Sequence, residues 1–265
     1  MVTQAVQALV GTPQAVSEVM LDWFRRELID VLSAGEPDVF ECRACSRPFV
    51  PAEQPQLDAD CLFTGVGLPR RACPSCGLIQ GPLAIISAPP ERLGRLYELI
   101  YRFYAEGDTV HAQERSFYLL NPSRAGRYLN YACGLWTRGA SRLTDAGWDV
   151  WGYEPYITQF HPRISPTVPE GPFDGLFSHN FLEHPQDPRV FLSACHALLK
   201  PGGRMAHSTP CYEYLFERSP VHLYFFVGGS VSALCETTGF RVINDVAQDR
   251  ENLGEYYRCL VFERL

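Results

Sequence analysis

The sequence predicts an α/β fold: a mostly parallel sheet with alternating helices over the last two-thirds of the chain, preceded by a small cysteine-stapled module and an N-terminal helix. Three observations predict it. From about residue 90 onward, apolar runs of strand length alternate with helical stripes. Five of the ten cysteines crowd between Cys42 and Cys76, in a stretch rich in proline and short polar runs. The beginning of the chain carries helical periodicity with start and stop signals. The 265 residues divide accordingly into 1–39, 40–89 and 90–265.

The first element is an amphipathic helix over roughly residues 12 to 34. Thr12 caps it, Pro13 suits its first turn, and Gly35 with Pro37 stops it. Val16, Val19, Met20, Trp23, Phe24, Leu28 and Val31 recur at helical spacing and form one apolar stripe. Such a stripe is expected to pack on the rest of the chain; docking a second copy or a protein partner is the alternative.

Composition narrows the partners. Thirty acidic residues against 23 basic ones leave a net charge of −7, which speaks against nucleic acid and anionic membranes. No run approaches the length of a spanning helix. Met1-Val2-Thr3-Gln4 lacks the basic and apolar regions of a secretory leader, so the expected location is the cytoplasm. A reducing compartment disfavours disulfides and turns the early cysteines into metal-ligand candidates.

The second segment has too few apolar residues for a core of its own and needs a staple. Cys42-Arg-Ala-Cys45 and Cys73-Pro-Ser-Cys76 are two CxxC turns separated by 27 residues. Each turn sets two sulfurs on one side of a tight loop, and two such turns face to face make a thiolate tetrahedron for a structural Zn²⁺. Four thiolates leave no open coordination position. An iron–sulfur cluster is the other metal reading. Cys61, midway, is expected to be a spare thiol, with replacement of one ligand as its alternative.

The third segment opens with a helix over 91–105, carrying Leu93, Leu96, Tyr97, Ile100, Tyr101 and Tyr104, and a loop around Gly107. A buried strand over 128–132 enters the turn Cys133-Gly134-Leu135-Trp136-Thr137, and a helix with Leu143 runs on to Gly147. The next strand, 149–153, ends at Glu154. Glu154 stands 20 residues after Gly134, the distance at which a doubly wound fold sets an acidic group on a ribose hydroxyl. A strand over 173–178 follows and leads into His179-Asn180-Phe181-Leu182-Glu183-His184. Asp187 and Pro188 open a helix that ends at Lys200-Pro201-Gly202-Gly203. A strand over 205–209, a helix over 230–238 and strands near 240–246 and 257–263 complete the order.

The series Leu-Asn-Tyr-Ala-Cys-Gly, Gly-Tyr-Glu-Pro, Phe-Asp-Gly-Leu-Phe-Ser…Leu-Glu-His, Leu-Leu-Lys-Pro-Gly-Gly and Thr-Gly-Phe resembles the class I S-adenosylmethionine-dependent methyltransferases over about residues 90 to 265. With the cysteine module, the chain looks like bacterial sugar and natural-product methyltransferases that carry an N-terminal zinc-binding ribbon. The resemblance implies a Rossmann-like seven-stranded domain and S-adenosyl-L-methionine as cofactor. It places Ala132, Cys133 and Gly134 in the cofactor loop, Glu154 on the ribose, and His179 and Asn180 beside the sulfonium and methionine groups. Asn130, Ala132 and Trp136 stand where the family usually has Asp, Gly and Gly. A changed loop, or a non-catalytic binding or scaffold subunit, is therefore the alternative to an enzyme.

Methyl transfer needs donor and acceptor held in line, and an acceptor hydroxyl or carbon acid also needs a base. His184, just after the fourth strand, and His222, in the approach Pro220-Val-His-Leu-Tyr after the fifth, are the expected catalytic histidines. His207, inside a strand, is expected in the core. Tyr212 and Tyr214 are lid or packing aromatics, or acceptor-pocket residues. Cys195, Cys211, Cys235 and Cys259 read as packing thiols. The expected activity is methylation of a small-molecule acceptor, a nucleotide sugar or natural-product intermediate. Modification of nucleic acid or protein is a third reading, which the acidic charge disfavours.

Overall fold

The structure, a computed structural model, describes residues 18–104, 107–156, 159–248 and 257–265. It groups the chain into two compact units. One comprises Met1–Gly107, Glu183–Pro188 and Cys211–Ala233; the other comprises Asp108–Leu182, Arg189–Pro210 and Leu234–Leu265.

In the first unit, the N-terminal helix α1 spans Glu18–Leu32. Thr12, Pro13 and Val16 lie outside the described residues. Phe24, Leu28 and Val31 are buried, whereas Val19 and Trp23 are 56% and 55% exposed. Thus the buried stripe is narrower than the sequence pattern, because only one edge of the helix meets other chain. Helix α2 is Leu83–Ser87 and α3 is Pro90–Ile100. Phe24 meets Phe103 edge-on at 5.5 Å, and Phe63 meets Phe103 at 5.2 Å, so a small aromatic cluster ties the helices to the cysteine module. Arg92 Nε lies 3.0 Å from Glu27 on α1.

The cysteine module is built from short antiparallel strands. Strands β1 (Phe40–Glu41) and β2 (Pro48–Phe49) pair with each other. A second sheet has β3 (Gln56–Leu57), β4 (Arg70–Ala72) and β5 (Ile79–Gln80), and is completed by β11 (Tyr224–Phe225) in the order β11-β5-β4-β3. Tyr224 pairs with Gln80 and Phe225 with Ile79. A segment read from the sequence as a loop-to-helix approach is therefore an edge strand of the ribbon. Only tertiary pairing determines that, since a two-residue strand has no periodicity.

The second unit is one seven-stranded sheet in the order β12-β13-β10-β9-β6-β7-β8. Its strands are β6 (Arg127–Tyr131), β7 (Asp149–Tyr153), β8 (Ile164–Ser165), β9 (Phe173–His179), β10 (Leu199–Ser208), β12 (Phe240–Gln248) and β13 (Tyr257–Arg264). Strands β6 to β10 pair in parallel, and β13 runs antiparallel to both β10 and β12. Helices α4 (Val110–Leu119), α5 (Thr137–Asp145), α6 (Pro188–Leu198) and α7 (Ser230–Thr238) are interleaved. The expected Rossmann-like seven-stranded sheet is present. Helix α4 escaped the sequence reading because its buried positions include Gln113, Glu114 and Ser116, which break the apolar stripe.

The expected turn at Lys200-Pro201-Gly202-Gly203 appears as an irregularity in β10, whose pairing with β9 shifts register between Leu199 and Arg204. Strand order reverses between β6 and β9, so the loops at their carboxyl ends diverge. That divergence opens the crevice in which doubly wound sheets bind ligands.

Candidate active site and metal centres

The crevice loop begins at Ala132, directly after β6. Its φ of +55° is left-handed, and Gly134 follows at +56°. Ala132 therefore occupies a conformation that costs an L-residue with a Cβ about 1–2 kcal/mol. Gly134 is exposed, and a Cβ built there would meet nothing within 4 Å, so the backbone is open to a ligand. The Cys133 N–H donates to the Tyr153 carbonyl at 3.0 Å, which ties the loop to the end of β7. Burial, then the nearby Glu154 charge, push the Cys133 thiol up, so it is a neutral packing group and not a nucleophile.

Glu154 closes the loop from the neighbouring strand. Its Oε2 accepts the Gly134 N–H at 2.9 Å and its Oε1 accepts the Tyr156 N–H at 3.0 Å. Across the reversal point, His179 ends β9 and is followed by Asn180 at φ +48°. His179 Nδ1 is hydrogen-bonded to Ser208 Oγ at 2.8 Å, and Ser208 Oγ to Ser116 Oγ at 2.8 Å. Burial pushes the His179 pKa down to about 4, against the opposing effect of Ser208, so the imidazole is neutral near pH 7. Asn180 donates its N–H to the Ser208 carbonyl at 2.8 Å, while its Oδ1 is buried without a hydrogen-bond partner. A buried acceptor of that kind suits a ligand's ammonium or hydroxyl group. Open backbone at Gly134, the carboxylate of Glu154 and the acceptor of Asn180 together fit the methionine and ribose ends of S-adenosylmethionine.

Trp136, which stands where the family usually has Gly, turns inward. It is fully buried, with its ring 5.5 Å from Phe177 at 76°. Gly139 makes the room, since a Cβ there would collide with the indole nitrogen of Trp136. Gln113 on α4 donates from Nε2 to the Cys133 carbonyl at 3.4 Å and accepts from Asn130 Nδ2. Gln113 was not legible as a site residue, because it belongs to the helix that sequence periodicity missed.

In the first unit, Cys42, Cys45, Cys73 and Cys76 converge. The Sγ atoms of Cys42 and Cys76 are 3.6 Å apart, and those of Cys45 and Cys73 are 3.7 Å apart. Four sulfurs bound at about 2.3 Å to one tetrahedral ion are separated by about 3.8 Å, so the cluster fits Zn²⁺ closely. Both knuckles close alike: Cys42 N–H to Arg47 O and Ser46 N–H to Cys42 O at 3.0 Å each, then Cys73 N–H to Leu78 O at 2.8 Å and Gly77 N–H to Cys73 O at 2.9 Å. Cys61 heads a third loop of this pattern, with Cys61 N–H to Val66 O and Gly65 N–H to Cys61 O at 2.8 Å each. Thr64 stands where that knuckle would carry its second cysteine, and buried Cys61 is not a member of the four-sulfur group.

The two expected catalytic histidines also meet in this unit. The rings of His184 and His222 are 5.1 Å apart at 67°. His184 Nδ1–H donates to the Val221 carbonyl at 3.0 Å, and the ring stands 5.8 Å from that of Tyr97. His222 Nδ1–H donates to the Phe216 carbonyl at 3.2 Å and lies 3.5 Å from Cys211 Sγ. Burial, then His184 and Arg70, hold His222 well below the ordinary histidine range. Arg70, fully buried, fixes this loop by donating from Nη2 to the carbonyls of Ser219 and His222 at 3.1 and 3.3 Å. His207 is buried as expected, its Nε2 accepting the N–H groups of Phe181 and Leu182 at 3.4 and 3.1 Å. Tyr212 is buried against Phe226, and Tyr214 packs on Phe225 at 4.8 Å. Sequence reasoning missed Arg70, Glu183 and Cys211, which acquire meaning only through neighbours distant in the chain.

A sheet with this strand order and a reversal point between β6 and β9 is a doubly wound, Rossmann-like fold. Residues 104–245, more than half of the chain, match the family model described as a methyltransferase domain. The chain belongs to that family and is an S-adenosylmethionine-dependent methyltransferase by class. Among solved structures, the 1,6-didemethyltoxoflavin-N1-methyltransferase of Burkholderia thailandensis, with 1,6-didemethyltoxoflavin and S-adenosylhomocysteine bound, is similar in fold. It is 16% identical with a TM-score of 0.51, over 75% of this chain and 95% of that one. The N-methyltransferase NodS from Bradyrhizobium japonicum is 14% identical with a TM-score of 0.45, over 58% of this chain and 94% of that one. An S-adenosylmethionine-dependent methyltransferase from Mesorhizobium loti is 17% identical with a TM-score of 0.44, over 58% and 98%. No curated protein sequence matches the chain. Among the described residues, no helix is long and apolar enough to cross a membrane.

Proposed function

We propose that this chain transfers a methyl group from S-adenosylmethionine to a small-molecule acceptor, a nucleotide sugar or natural-product intermediate, in the cytoplasm. The observation that carries the reading is the Gly134–Glu154 pair at the switch point of the sheet, with the Asn180 acceptor across from it. Ala132, Cys133 and Gly134 hold the methionine end, Glu154 takes the ribose hydroxyls, and His179 and Asn180 border the methionine and sulfonium groups. The bound cofactor supplies an electrophilic methyl on a sulfonium that leaves as a neutral thioether. His184 or His222 takes the acceptor's proton. The Trp136 ring is buried in the core, while Asn130 and left-handed Ala132 still depart from the family pattern that the non-catalytic alternative rests on.

Cys42, Cys45, Cys73 and Cys76 hold a structural Zn²⁺, which supports the cytoplasmic assignment because the thiolates must stay reduced. The net charge of −7 favours a small acceptor over nucleic acid. Exposed Val19, Trp23 and Ile29 on α1 offer a face for a second copy or another protein. Calorimetric titration of zinc-loaded protein with S-adenosylmethionine and S-adenosylhomocysteine tests the reading. Saturable binding to both is expected, and absence of binding would overturn it.

A further inference from the structure

Beside the four-cysteine cluster, the first unit contains a second convergence of ligand-type side chains. Glu183, Cys211 and His222 each offer one donor atom, and these atoms lie within 4.8 Å of one another. They come from two separate stretches of chain, 183–188 and 211–233, that join this unit. Glu183 and Cys211 are fully buried. We propose that Glu183, Cys211 and His222 form a second metal site, for a single divalent cation of zinc type.

Three features favour a cation over a packing cluster. The first is geometric. The Cys211 Sγ to His222 Nδ1 separation of 3.5 Å matches the sulfur–nitrogen edge of a zinc tetrahedron, about 3.5 Å for bonds of about 2.3 and 2.0 Å. The sulfur edges of the neighbouring cluster, 3.6 and 3.7 Å, match their own tetrahedron in the same way. The second is chemical. One thiolate, one carboxylate and one neutral imidazole carry two negative charges, which balance a divalent ion, and the mixture of soft and borderline donors selects zinc over magnesium or calcium.

The third is positional. Phe216, at a left-handed φ of +61°, turns its carbonyl to within 3.2 Å of the same His222 nitrogen. Arg70 clamps the backbone that carries His222. The loop is thus fixed around the point where the donors meet. Binding moves the His222 proton from Nδ1 to Nε2, breaking the hydrogen bond to the Phe216 carbonyl, and releases the Cys211 thiol proton to solvent.

Three protein ligands leave the fourth position open, as in zinc sites that take water or substrate. The site itself stands independently of the methyl-transfer reading. On that reading, His222 serves as a ligand, and His184 is the base that remains.

Metal content of the full-length protein, equilibrated with Zn²⁺ and freed of excess, tests the proposal. Wild type should hold about two zinc ions per chain, and Cys211→Ser or Glu183→Gln about one. Replacement by Co²⁺ separates the centres: the second equivalent should show a single-thiolate charge-transfer band, weaker than that of the four-thiolate site. The titration uses wild type alone, so it decides the matter even where a variant fails to fold. Saturation at one equivalent, or retention of two in both folded variants, overturns the site. S-adenosylhomocysteine binding measured on the same samples reports on the methyl-transfer reading separately, since a null result there leaves the metal count unchanged.

Discussion

The Glu154 carboxylate accepts the Gly134 N–H at 2.9 Å, joining the ends of two adjacent parallel strands through residues 20 positions apart. On the proposed function, the same carboxylate that shapes the loop also takes the ribose hydroxyls. Glu154→Gln should weaken S-adenosylhomocysteine binding by about 10- to 100-fold, the loss of one or two hydrogen bonds to a charged acceptor. Calorimetry measures it, and an affinity within about twofold of wild type would remove Glu154 from the cofactor site.

Ala132 sits at φ +55°, where glycine is unstrained. Ala132→Gly relieves about 1–2 kcal/mol of backbone strain but adds about 0.5–1 kcal/mol of unfolded-chain freedom. A net gain of up to about 1 kcal/mol is expected in urea unfolding. A loss of stability would show that the Ala132 methyl contributes packing beyond its strain.

Gly139 lies under the Trp136 indole with no space for a Cβ. Gly139→Ala should destabilise the protein by about 1–3 kcal/mol despite the better helix propensity of alanine. Chemical denaturation of Gly139→Ala alongside Gly94→Ala, which sits on α3 with nothing within 4 Å of its built Cβ, separates the collision from propensity.

His179 is held near pKa 4 by burial, below the ordinary value of 6.5. On acidification the unfolded chain takes up this proton before the folded chain does. Its contribution to stability is complete above about pH 6.5, falls as the pH drops toward about 4, and is flat below that. The total is roughly 3 kcal/mol. Urea unfolding at pH 7.5 and 4.5 should show a smaller acid loss in His179→Asn than in wild type; equal losses would sink the assignment.

Cys42→Ser removes one corner of the sulfur tetrahedron and should abolish zinc at that cluster. The first unit, whose ribbon strands are two or three residues long, should then become protease-sensitive. Metal analysis with limited proteolysis checks both. An intact, zinc-replete Cys42→Ser protein would exclude it as a ligand.

Local chemistry carried much of this into the sequence. The CxxC spacing of Cys42, Cys45, Cys73 and Cys76 marked the sulfur cluster, because two tight turns can present four sulfurs in only a few ways. The strand at 128–132, Gly134 and Glu154 marked the crevice, because a parallel sheet repeats its strand–turn–helix unit along the chain. What stayed hidden depended on distant partners. Trp136 looked obstructive until Gly139 and Phe177 showed where its ring goes. Residues 224 and 225 read as loop until β5 offered them an edge.

The sequence alone therefore marked the class of fold, the loop after β6, the acidic residue beside it and the four-cysteine cluster, all set by spacing along the chain. Tertiary structure alone decided that Ala132 is left-handed, that the segments 183–188 and 211–233 join the cysteine unit, and that Glu183, Cys211 and His222 face one point. The physical reason is contact range. Periodicity and turn chemistry act over a few residues, whereas side chains separated by tens of residues become neighbours only when burial of the core brings their segments together.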